Sequence, residues 1–120
     1  GALVFTDIMG ADGADEKALK DFTDRNATTE MARPSGYLAQ LRDAGFAHVS
    51  FWDGSYNLEH YFRAMLAVCT TKGDAMIAEG VPKPYLDKWI AALTDRVEME
   101  STKHVFAWGI FSARKPGPAF

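Results

Sequence analysis

The sequence predicts an α/β fold around a small sheet of three strands, and three observations support this prediction. Three short runs rich in β-branched and aromatic residues alternate with longer segments in which apolar residues recur at helical spacing. The last of these runs is apolar at successive positions, which is typical of a strand with neighbours on both sides. With 120 residues, 48% of them hydrophobic, the chain is long enough for one domain with its own core.

The first strand is predicted at residues 2–6, which are apolar without alternation, as in a strand covered on both faces. A covered strand at the start of a sequence suggests a chain that begins inside a larger fold. Asp15 is expected to cap a helix that fades near residues 24–26. The inward side chains of this helix are expected to be Ala18, Leu19 and Phe22.

A second helix and a second strand follow. Pro34 suits the first turn of this helix and Gly45 suits its end. Its apolar side chains are Tyr37, Leu38, Leu41 and Ala44. The strand is predicted at residues 48–52, where Val49 and Phe51 share one face, so that the other face is expected to be partly solvated.

Two further helices and a last strand complete the predicted order. Ser55 opens the most amphipathic segment, which Gly73 ends, and a short helical turn is expected at residues 74–79. The apolar positions of the helix that Ser55 opens are Leu58, Tyr61, Phe62, Met65, Leu66 and Cys69. Pro84 suits the first turn of the next helix. That helix turns inward Leu86, Trp89, Ile90, Leu93 and Val97. The last strand covers residues 105–111, and the tail from residue 116 is expected to be loose.

The predicted position of the last strand has a consequence for the first. If residues 105–111 form the centre of the sheet, residues 2–6 lie at an edge. An apolar edge strand is a template for pairing with another chain. Either this protein self-associates there, or the missing partner is the rest of an enzyme.

Composition excludes several classes of function. A formal net charge of −3, with acidic and basic residues interspersed, disfavours nucleic acid as a partner. The longest nearly uncharged apolar stretch, residues 105–113, is far shorter than the roughly 20 residues that span a bilayer, so no membrane is expected. No export signal is recognisable, and a cytoplasmic location is the default. Cys69, the sole cysteine, is expected to be a buried small hydrophobe.

The histidines and the acidic residues do not predict a metal site. His48, His60 and His104 are too widely spread and have no cysteine or carboxylate partner at a ligand spacing. Asp12, Asp15 and Glu16 cluster after the first strand but lack the alternating ligand series of a calcium loop. Helix capping and solvation are therefore favoured for this cluster.

Two positions suggest a ligand site before any family is considered. Asp7 ends the predicted first strand, and in open α/β sheets ligands bind at the carboxyl ends of strands. A turn or capping aspartate is the alternative. His60 and Tyr61 lie near the start of the third helix, one turn after a strand end, where they could project over the same crevice. A core aromatic is the alternative for Tyr61.

Three segments carry a family resemblance. They are the strand and loop at residues 3–9, the segment 24–31 that precedes Ser35-Gly36-Tyr37, and the segment 58–61. In this order they resemble the C-terminal half of a class I S-adenosylmethionine-dependent methyltransferase, most closely the sarcosine/dimethylglycine N-methyltransferases of glycine betaine synthesis. Phosphoethanolamine methyltransferases and cyclopropane-fatty-acid synthase-like enzymes are less similar. The resemblance runs from Gly1 to about Lys115 and includes Trp108-Gly109 and Arg114-Lys115.

The resemblance implies the C-terminal portion of a Rossmann-like methyltransferase fold. The three strands would be the fifth, sixth and seventh of seven, with the seventh antiparallel and inserted between the other two. Residues 1–115 would be the acceptor-binding part, and residues 116–120 a tail. The implied cofactor is S-adenosylmethionine, whose Gly-rich loop would lie upstream of this chain. The implied partners are a small amine, such as sarcosine or dimethylglycine, and the missing N-terminal half.

The resemblance also implies roles for individual residues. Arg25 matches a basic residue near the anion of the substrate, with an exposed helix-end arginine as the alternative. His60 and Tyr61 match a pair that faces the acceptor pocket. Met9 and Met31 would be flexible pocket walls, although core packing explains them equally well.

Two points leave the function open. Residues 26–29 and Asn57 depart from the family pattern, so the identity of the acceptor is not fixed. The alternative to a methyltransferase is a non-catalytic α/β module that self-associates through its first strand.

Overall fold

A computed structural model describes residues 1–117, without the side chains of Glu100 and Ser101. Within it the chain forms two compact units. The sheet unit comprises residues 1–55 together with the segment from residue 104 onward, and the helical unit comprises residues 56–103. The end of the predicted loose tail, from residue 118, lies outside the described residues.

The sheet unit contains three strands and two helices. They are β1 (Ala2–Gly10), α1 (Glu16–Arg25), α2 (Pro34–Asp43), β2 (Ala47–Asp53) and β3 (Phe106–Arg114). The strand order is β1-β3-β2, and both outer strands are antiparallel to β3. The predicted central, antiparallel last strand is therefore confirmed. Because β1 and β2 both oppose β3, they run parallel to each other, and their carboxyl ends lie at the same edge of the sheet.

An aromatic cluster on one face of the sheet holds α2. Phe5 and Phe51 both pair with Phe111, and their rings stack on its ring at centroid distances of 4.9 and 4.5 Å. The ring of Tyr37 on α2 meets Phe5 and Phe111 edge to face, each at 5.2 Å. The apolar stripe predicted for α2 is thus the surface that packs on the sheet.

Caps and turns shape the two helices of the sheet unit as the sequence predicts. The Asp15 carboxylate accepts a hydrogen bond from the backbone N–H of Lys17 at 3.0 Å and caps α1. Pro34 occupies the first turn of α2. Gly45 follows α2 with a φ of +89°, a left-handed conformation that glycine adopts without a steric penalty.

The first strand differs from its prediction in length and in burial. It has nine residues instead of five, and its first half is open, since Leu3 is 37% and Val4 65% exposed. The prediction of a strand covered on both faces is wrong for this chain, because Leu3 and Val4 lie on opposite faces of β1 and both are exposed. Among residues 1–117, β3 is the only strand beside β1, so one edge of β1 is open too. An apolar composition shows that a strand can be buried and does not show what covers it.

The helical unit contains four helices. They are α3 (Asn57–Thr71), α4 (Gly73–Ala78), α5 (Lys83–Glu98) and α6 (Glu100–Lys103). Its buried side chains include Leu58, Phe62, Cys69, Leu86, Leu93 and Val97. Gly73 does more than end a helix, because it is the buried first residue of α4, where a β-carbon would lie 3.2 Å from Leu86. Among the described residues no helix has both the length and the apolarity that crossing a membrane requires.

A buried arginine is part of this helical packing. Arg96 on α5 is 4% exposed, and its guanidinium lies over two aromatic rings, 5.1 Å from the centroid of Phe62 and 5.0 Å from that of Trp89. A guanidinium can be buried in this way because it is more weakly hydrated than an ammonium and stacks on ring faces. Cys69 is buried as predicted, and burial raises the pKa of its thiol, so that it stays protonated at neutral pH.

Candidate functional site

The first candidate, Asp7, lies toward the carboxyl end of β1 but is not the last residue of the strand. Ile8, Met9 and Gly10 still pair with β3, so Asp7 lies inside the strand, opposite Gly109. Its carboxylate accepts a hydrogen bond of 2.7 Å from the hydroxyl of Tyr37 on α2. Asp7 is therefore neither a turn nor a capping residue, since it links the strand to the helix that covers it.

Tyr37 belongs to this site, although the sequence analysis assigned it to packing alone. The hydrogen bond to Asp7, together with burial and the negative charge of Asp7, raises the pKa of Tyr37 to about 12. At neutral pH the proton thus stays on Tyr37, and the carboxylate of Asp7 remains an acceptor. A single carboxylate within an apolar strand is a signal that a donor is needed nearby, and this signal could have identified the pair.

The two candidate methionines of the sheet unit are buried. Met9 is fully buried in the core cluster that contains Leu41 and Phe111, and Met31 is 8% exposed. The backbone N–H of Gly10 donates to the carbonyl of Ala32 at 3.0 Å, so a hydrogen bond joins the residues that follow the two methionines. The burial of Met9 favours the core-packing alternative, and a role for either residue in a pocket stays a prediction.

Arg25, the last residue of α1, is held close to its own helix. Its side chain is 15% exposed, with Nη2 3.9 Å from the Asp21 carboxylate and the guanidinium 5.9 Å from the Phe22 ring centroid. The alternative of an exposed helix-end arginine is therefore wrong. A guanidinium that neighbouring side chains orient can pair with an anion at a lower entropic cost than a freely moving one.

His60 and Tyr61 lie on α3, in the helical unit. Both are exposed, Tyr61 by 48%, and its ring centroid is 5.7 Å from that of Phe62. The alternative of a core aromatic at Tyr61 is therefore wrong for this chain. The position fits the helical stripe of α3, but the buried residues of this stripe are Leu58, Phe62 and Cys69.

Tyr61 borders an apolar groove within the helical unit. The groove has a volume of about 400 Å³ and is lined by side chains of α3, α4 and α5 and of the connection between α4 and α5. These side chains include Tyr61, Met65, Val68, Cys69, Tyr85 and Trp89. Their composition suits an apolar contact surface and offers no carboxylate or basic group for an ionic one.

The carboxyl end of β2 forms an ordered turn at the same edge of the sheet as the end of β1. Asp53 accepts hydrogen bonds from the backbone N–H of Ser55, at 2.9 Å, and from its hydroxyl. The same hydroxyl accepts a hydrogen bond of 3.1 Å from the N–H of Trp108 on β3. The predicted end of the strand at Asp53-Gly54 is confirmed. Hydrogen bonds thus hold the chain near the carboxyl ends of both parallel strands, which is where ligands bind in open α/β sheets.

The acidic cluster after β1 has structural roles. Asp15 caps α1, and the Asp12 carboxylate accepts hydrogen bonds from the backbone N–H and the hydroxyl of Ser35, at 3.0 and 2.7 Å. Within residues 1–117, no three His, Cys, Asp or Glu side chains approach one another closely enough to hold a metal ion. The expected helix capping is confirmed for Asp15, while Glu16 accepts a hydrogen bond of 2.8 Å from Arg33.

Comparisons with curated proteins find relatives along almost the whole chain. It is 31% identical over 121 residues to the sarcosine/dimethylglycine N-methyltransferase of Halorhodospira halochloris, a match of 96% of this chain and 40% of that protein. It is 30% identical over 119 residues to the dimethylglycine N-methyltransferase of Parasynechococcus marenigrum, covering 98% and 41%. No protein-family model matches the chain.

Solved structures share the fold at lower identity. A Galdieria sulphuraria protein described as a sarcosine dimethylglycine methyltransferase superposes with a TM-score of 0.73 at 19% identity, covering 96% of this chain and 42% of that one. A Haemonchus contortus phosphoethanolamine N-methyltransferase 2, in complex with phosphomonomethylethanolamine and S-adenosylhomocysteine, gives a TM-score of 0.74 at 11% identity, covering 98% and 27%.

These comparisons confirm the resemblance that three short segments predicted. The chain has the α/β fold of part of the Rossmann-like S-adenosylmethionine-dependent methyltransferases, with its antiparallel strand between two parallel ones. It spans about 40% of the length of the curated relatives that it matches.

Proposed function

We propose that this chain, which is similar over almost its whole length to sarcosine/dimethylglycine N-methyltransferases, forms the acceptor-binding part of an S-adenosylmethionine-dependent N-methyltransferase. Its substrate would be a small amine such as sarcosine or dimethylglycine. The observation that carries this proposal is the 31% identity to a sarcosine/dimethylglycine N-methyltransferase across 96% of the chain. The shared fold supports it, because similar sequences on the same scaffold place corresponding residues alike.

The proposed reaction needs a neutral amine whose lone pair points at the methyl carbon. S-adenosylmethionine supplies an electrophilic methyl group, so the part played by the protein at the acceptor is mainly to orient it. The carboxylate of an amino-acid acceptor needs a cationic partner, and Arg25 is our candidate. Its side chain is 15% exposed, and the guanidinium is held near Asp21 and Phe22. It therefore loses little conformational freedom when it binds an anion.

The remaining candidates suit the amine end of the acceptor. The half-exposed ring of Tyr61, with His60 beside it, offers an aromatic face or a hydroxyl to a nitrogen that becomes cationic. Asp7 offers a carboxylate that accepts a hydrogen bond of 2.7 Å from the hydroxyl of Tyr37. Met31 would supply an apolar wall, whereas the fully buried Met9 would support the site from the core.

The proposal assigns no cofactor-binding residue to these positions. The turn after β1 contains Gly10 and Gly13 and lacks the three-glycine pattern that cradles a dinucleotide phosphate. We propose that the Gly-rich loop and the acidic residue for the ribose belong to a part of the enzyme outside this chain. Calorimetry tests this assignment. S-adenosylhomocysteine should bind the gene-encoded protein, meaning the complete product of the gene, and should not bind the present chain alone.

Methyl transfer by the gene-encoded protein tests the function directly. With S-adenosylmethionine and either sarcosine or dimethylglycine, we expect formation of S-adenosylhomocysteine and of the methylated amine. Arg25→Gln should raise the KM for the amine by at least about tenfold, since a charged hydrogen bond is lost. Lys20→Gln, on the same helix and 69% exposed, is the matched control and should leave this KM unchanged. An unchanged KM in Arg25→Gln would remove Arg25 from the site, and absence of methyl transfer by the wild type would refute the proposal.

A second candidate function is a module that self-associates through β1. The observation that favours it is the open edge of this strand, where Leu3 is 37% and Val4 65% exposed. The remainder of a methyltransferase would cover the same edge, so exposure alone does not separate the two functions. They differ in what the gene-encoded protein does, because only the module would pair with a second copy through this strand.

A further inference from the structure

We propose that Arg33 is a positioning residue for the acceptor amine, because its guanidinium holds the segment that carries Met31 against the end of β1. This inference rests on the proposed function, in which Met31 forms a wall of the acceptor site. Neither the sequence motifs nor the resemblance singled out Arg33, which directly precedes α2.

The side chain of Arg33 binds three groups at once. Its Nη1 donates to the carbonyl oxygens of Ala11, at 2.5 Å, and Asp12, at 3.3 Å. Its Nη2 donates to the carboxylate of Glu16, the first residue of α1, at 2.8 Å. The side chain is only 21% exposed, whereas that of Glu16 is 59% exposed. The planar fork of a guanidinium can satisfy two carbonyls and a carboxylate together, which a single ammonium cannot do with the same geometry.

Other hydrogen bonds close the same contact and place the methionines beside it. The N–H of Gly10, next to Met9, donates to the carbonyl of Ala32, next to Met31, at 3.0 Å. Arg33 follows the Met31 segment in the chain, and its guanidinium donates hydrogen bonds to the turn that follows β1. Removal of the guanidinium thus loosens the segment that carries Met31 relative to the turn after β1.

The structure also shows why this turn needs an anchor. The close packing of Gly10 on α1, where a β-carbon would lie 2.6 Å from Leu19, fixes the start of the turn. Beyond Gly10 the turn carries Asp12 and Gly13, which lie outside any helix or strand. Backbone hydrogen bonds of Ala11 and Ala14 restrict part of this turn, and Arg33 adds charged contacts that reduce its conformational freedom further.

Steady-state kinetics of the gene-encoded protein test this role. We expect Arg33→Gln to raise the KM for the amine about tenfold, while the KM for S-adenosylmethionine and kcat each change less than about twofold. Arg33→Lys keeps the charge near Glu16 and loses the fork, so it should give an intermediate increase. Arg42→Gln is the matched control, since Arg42 is exposed on the last turn of the same helix, and should leave all three constants unchanged.

The outcomes separate this role from a purely structural one. A loss of folded protein lowers kcat and leaves the KM for the amine unchanged, so that pattern would overturn the inference. Equal increases in both KM values, or failure of both Arg33 variants to fold, would overturn it too. A wild-type protein that methylates neither amine would refute the proposed function itself and this inference with it. Wild-type activity with an unaffected Arg33→Gln variant would refute only the inference.

Discussion

The pair formed by Tyr37 and Asp7 is the clearest electrostatic feature of the sheet unit. The two residues lie 30 positions apart, and the strand and the helix that carry them meet through the aromatic cluster around Phe111. Because Asp7 accepts a hydrogen bond from the Tyr37 hydroxyl, ionisation of Tyr37 would place two negatively charged oxygen atoms 2.7 Å apart. The neutral phenol is therefore favoured in the folded protein, and this preference makes the pair a source of stability that depends on pH.

Replacement of Tyr37 by Phe tests this coupling. The folded pKa of Tyr37, about 12, exceeds its ordinary value of 10.0, so its contribution is complete below pH 10.0 and is lost as the pH rises toward 12. At neutral pH we expect Tyr37→Phe to lower the free energy of unfolding by about 1 kcal/mol, since the pair is only partly buried. The difference from wild type, measured by urea unfolding, should shrink as the pH is raised above 10.0.

A titration of tyrosinate absorbance supplies the control. The step near pH 12 in the wild type should be absent in Tyr37→Phe. Asp7→Asn keeps the size of the side chain and removes the charge, so it should lower the pKa at which Tyr37 ionises. Loss of a step near the ordinary value of 10.0 in Tyr37→Phe would contradict the assignment.

Sequence reasoning could select the residues of the candidate site by their chemical type, but it predicted their burial and their contacts less well. Sequence reasoning selected Asp7 because it stood at an apparent strand end, and selected Tyr61 despite its place on an apolar stripe. It could not foresee that Tyr37 would bind Asp7 or that the Arg25 side chain would be largely covered, at 15% exposure. Both facts depend on contacts that form only when distant segments pack.

Among the elements, the helices and the strand order were the most predictable. The cap at Asp15, the first-turn proline at Pro34 and the Phe111 strand between two others all follow from local patterns. The bounds of β1 do not follow from local patterns, because residues 7–10 pair with β3 although Asp7 and Gly10 resemble a strand end. A register shift between Ala47 and Ser50, with His48 at a φ of +51°, was also invisible to the alternating pattern.

The pairing of β2 with β3 depends on the absence of a side chain at Gly109. A β-carbon there would overlap the carbonyl oxygen of Trp52 and the ring of Phe51. Because one of these atoms belongs to the backbone, the strands must move apart to admit a methyl group. We expect Gly109→Ala to lower the free energy of unfolding by about 3 kcal/mol, measured by urea denaturation.

The matched control for this substitution lies on α2. A β-carbon at Gly36 would meet no atom within 4 Å, and the residue is inside a helix. Gly36→Ala should therefore raise the free energy of unfolding by roughly 0.5–1 kcal/mol. Equal stability of Gly109→Ala and wild type would show that β2 can shift without cost and would contradict the close approach described for Gly109.

On the scale of the whole molecule, the sheet unit is apolar on both faces while α2 packs on one. The face opposite the Phe111 ring presents Val4, Ile110 and Trp52, which are 65%, 37% and 49% exposed. Since the chain spans about 40% of the length of its curated relatives, we propose that the part of the enzyme outside this chain covers this face and the edge of β1. Sequence reasoning could predict that such a cover is needed, because the first strand reads as buried on both faces.

The open surface leads us to expect that the present chain self-associates. Exposed apolar strands at a sheet edge pair with one another, and a lysine at the edge opposes such pairing. We therefore expect the molecular mass of the present chain, measured by sedimentation velocity, to rise with concentration, and Val4→Lys to suppress this rise. In the gene-encoded protein, a methyltransferase would bury Val4, so the same substitution should lower its free energy of unfolding and leave its oligomeric state unchanged.

The helical unit provides the matched control for this experiment. Val68 on α3 is 48% exposed, and Val68→Lys introduces the same charge in the helical unit, so it should leave self-association of the present chain intact. Suppression by Val68→Lys rather than by Val4→Lys would show that the groove of the helical unit, and not β1, forms the contact. Suppression of a gene-encoded oligomer by Val4→Lys would favour the self-associating module over the methyltransferase, because a strand buried within one enzyme cannot also pair with a second copy.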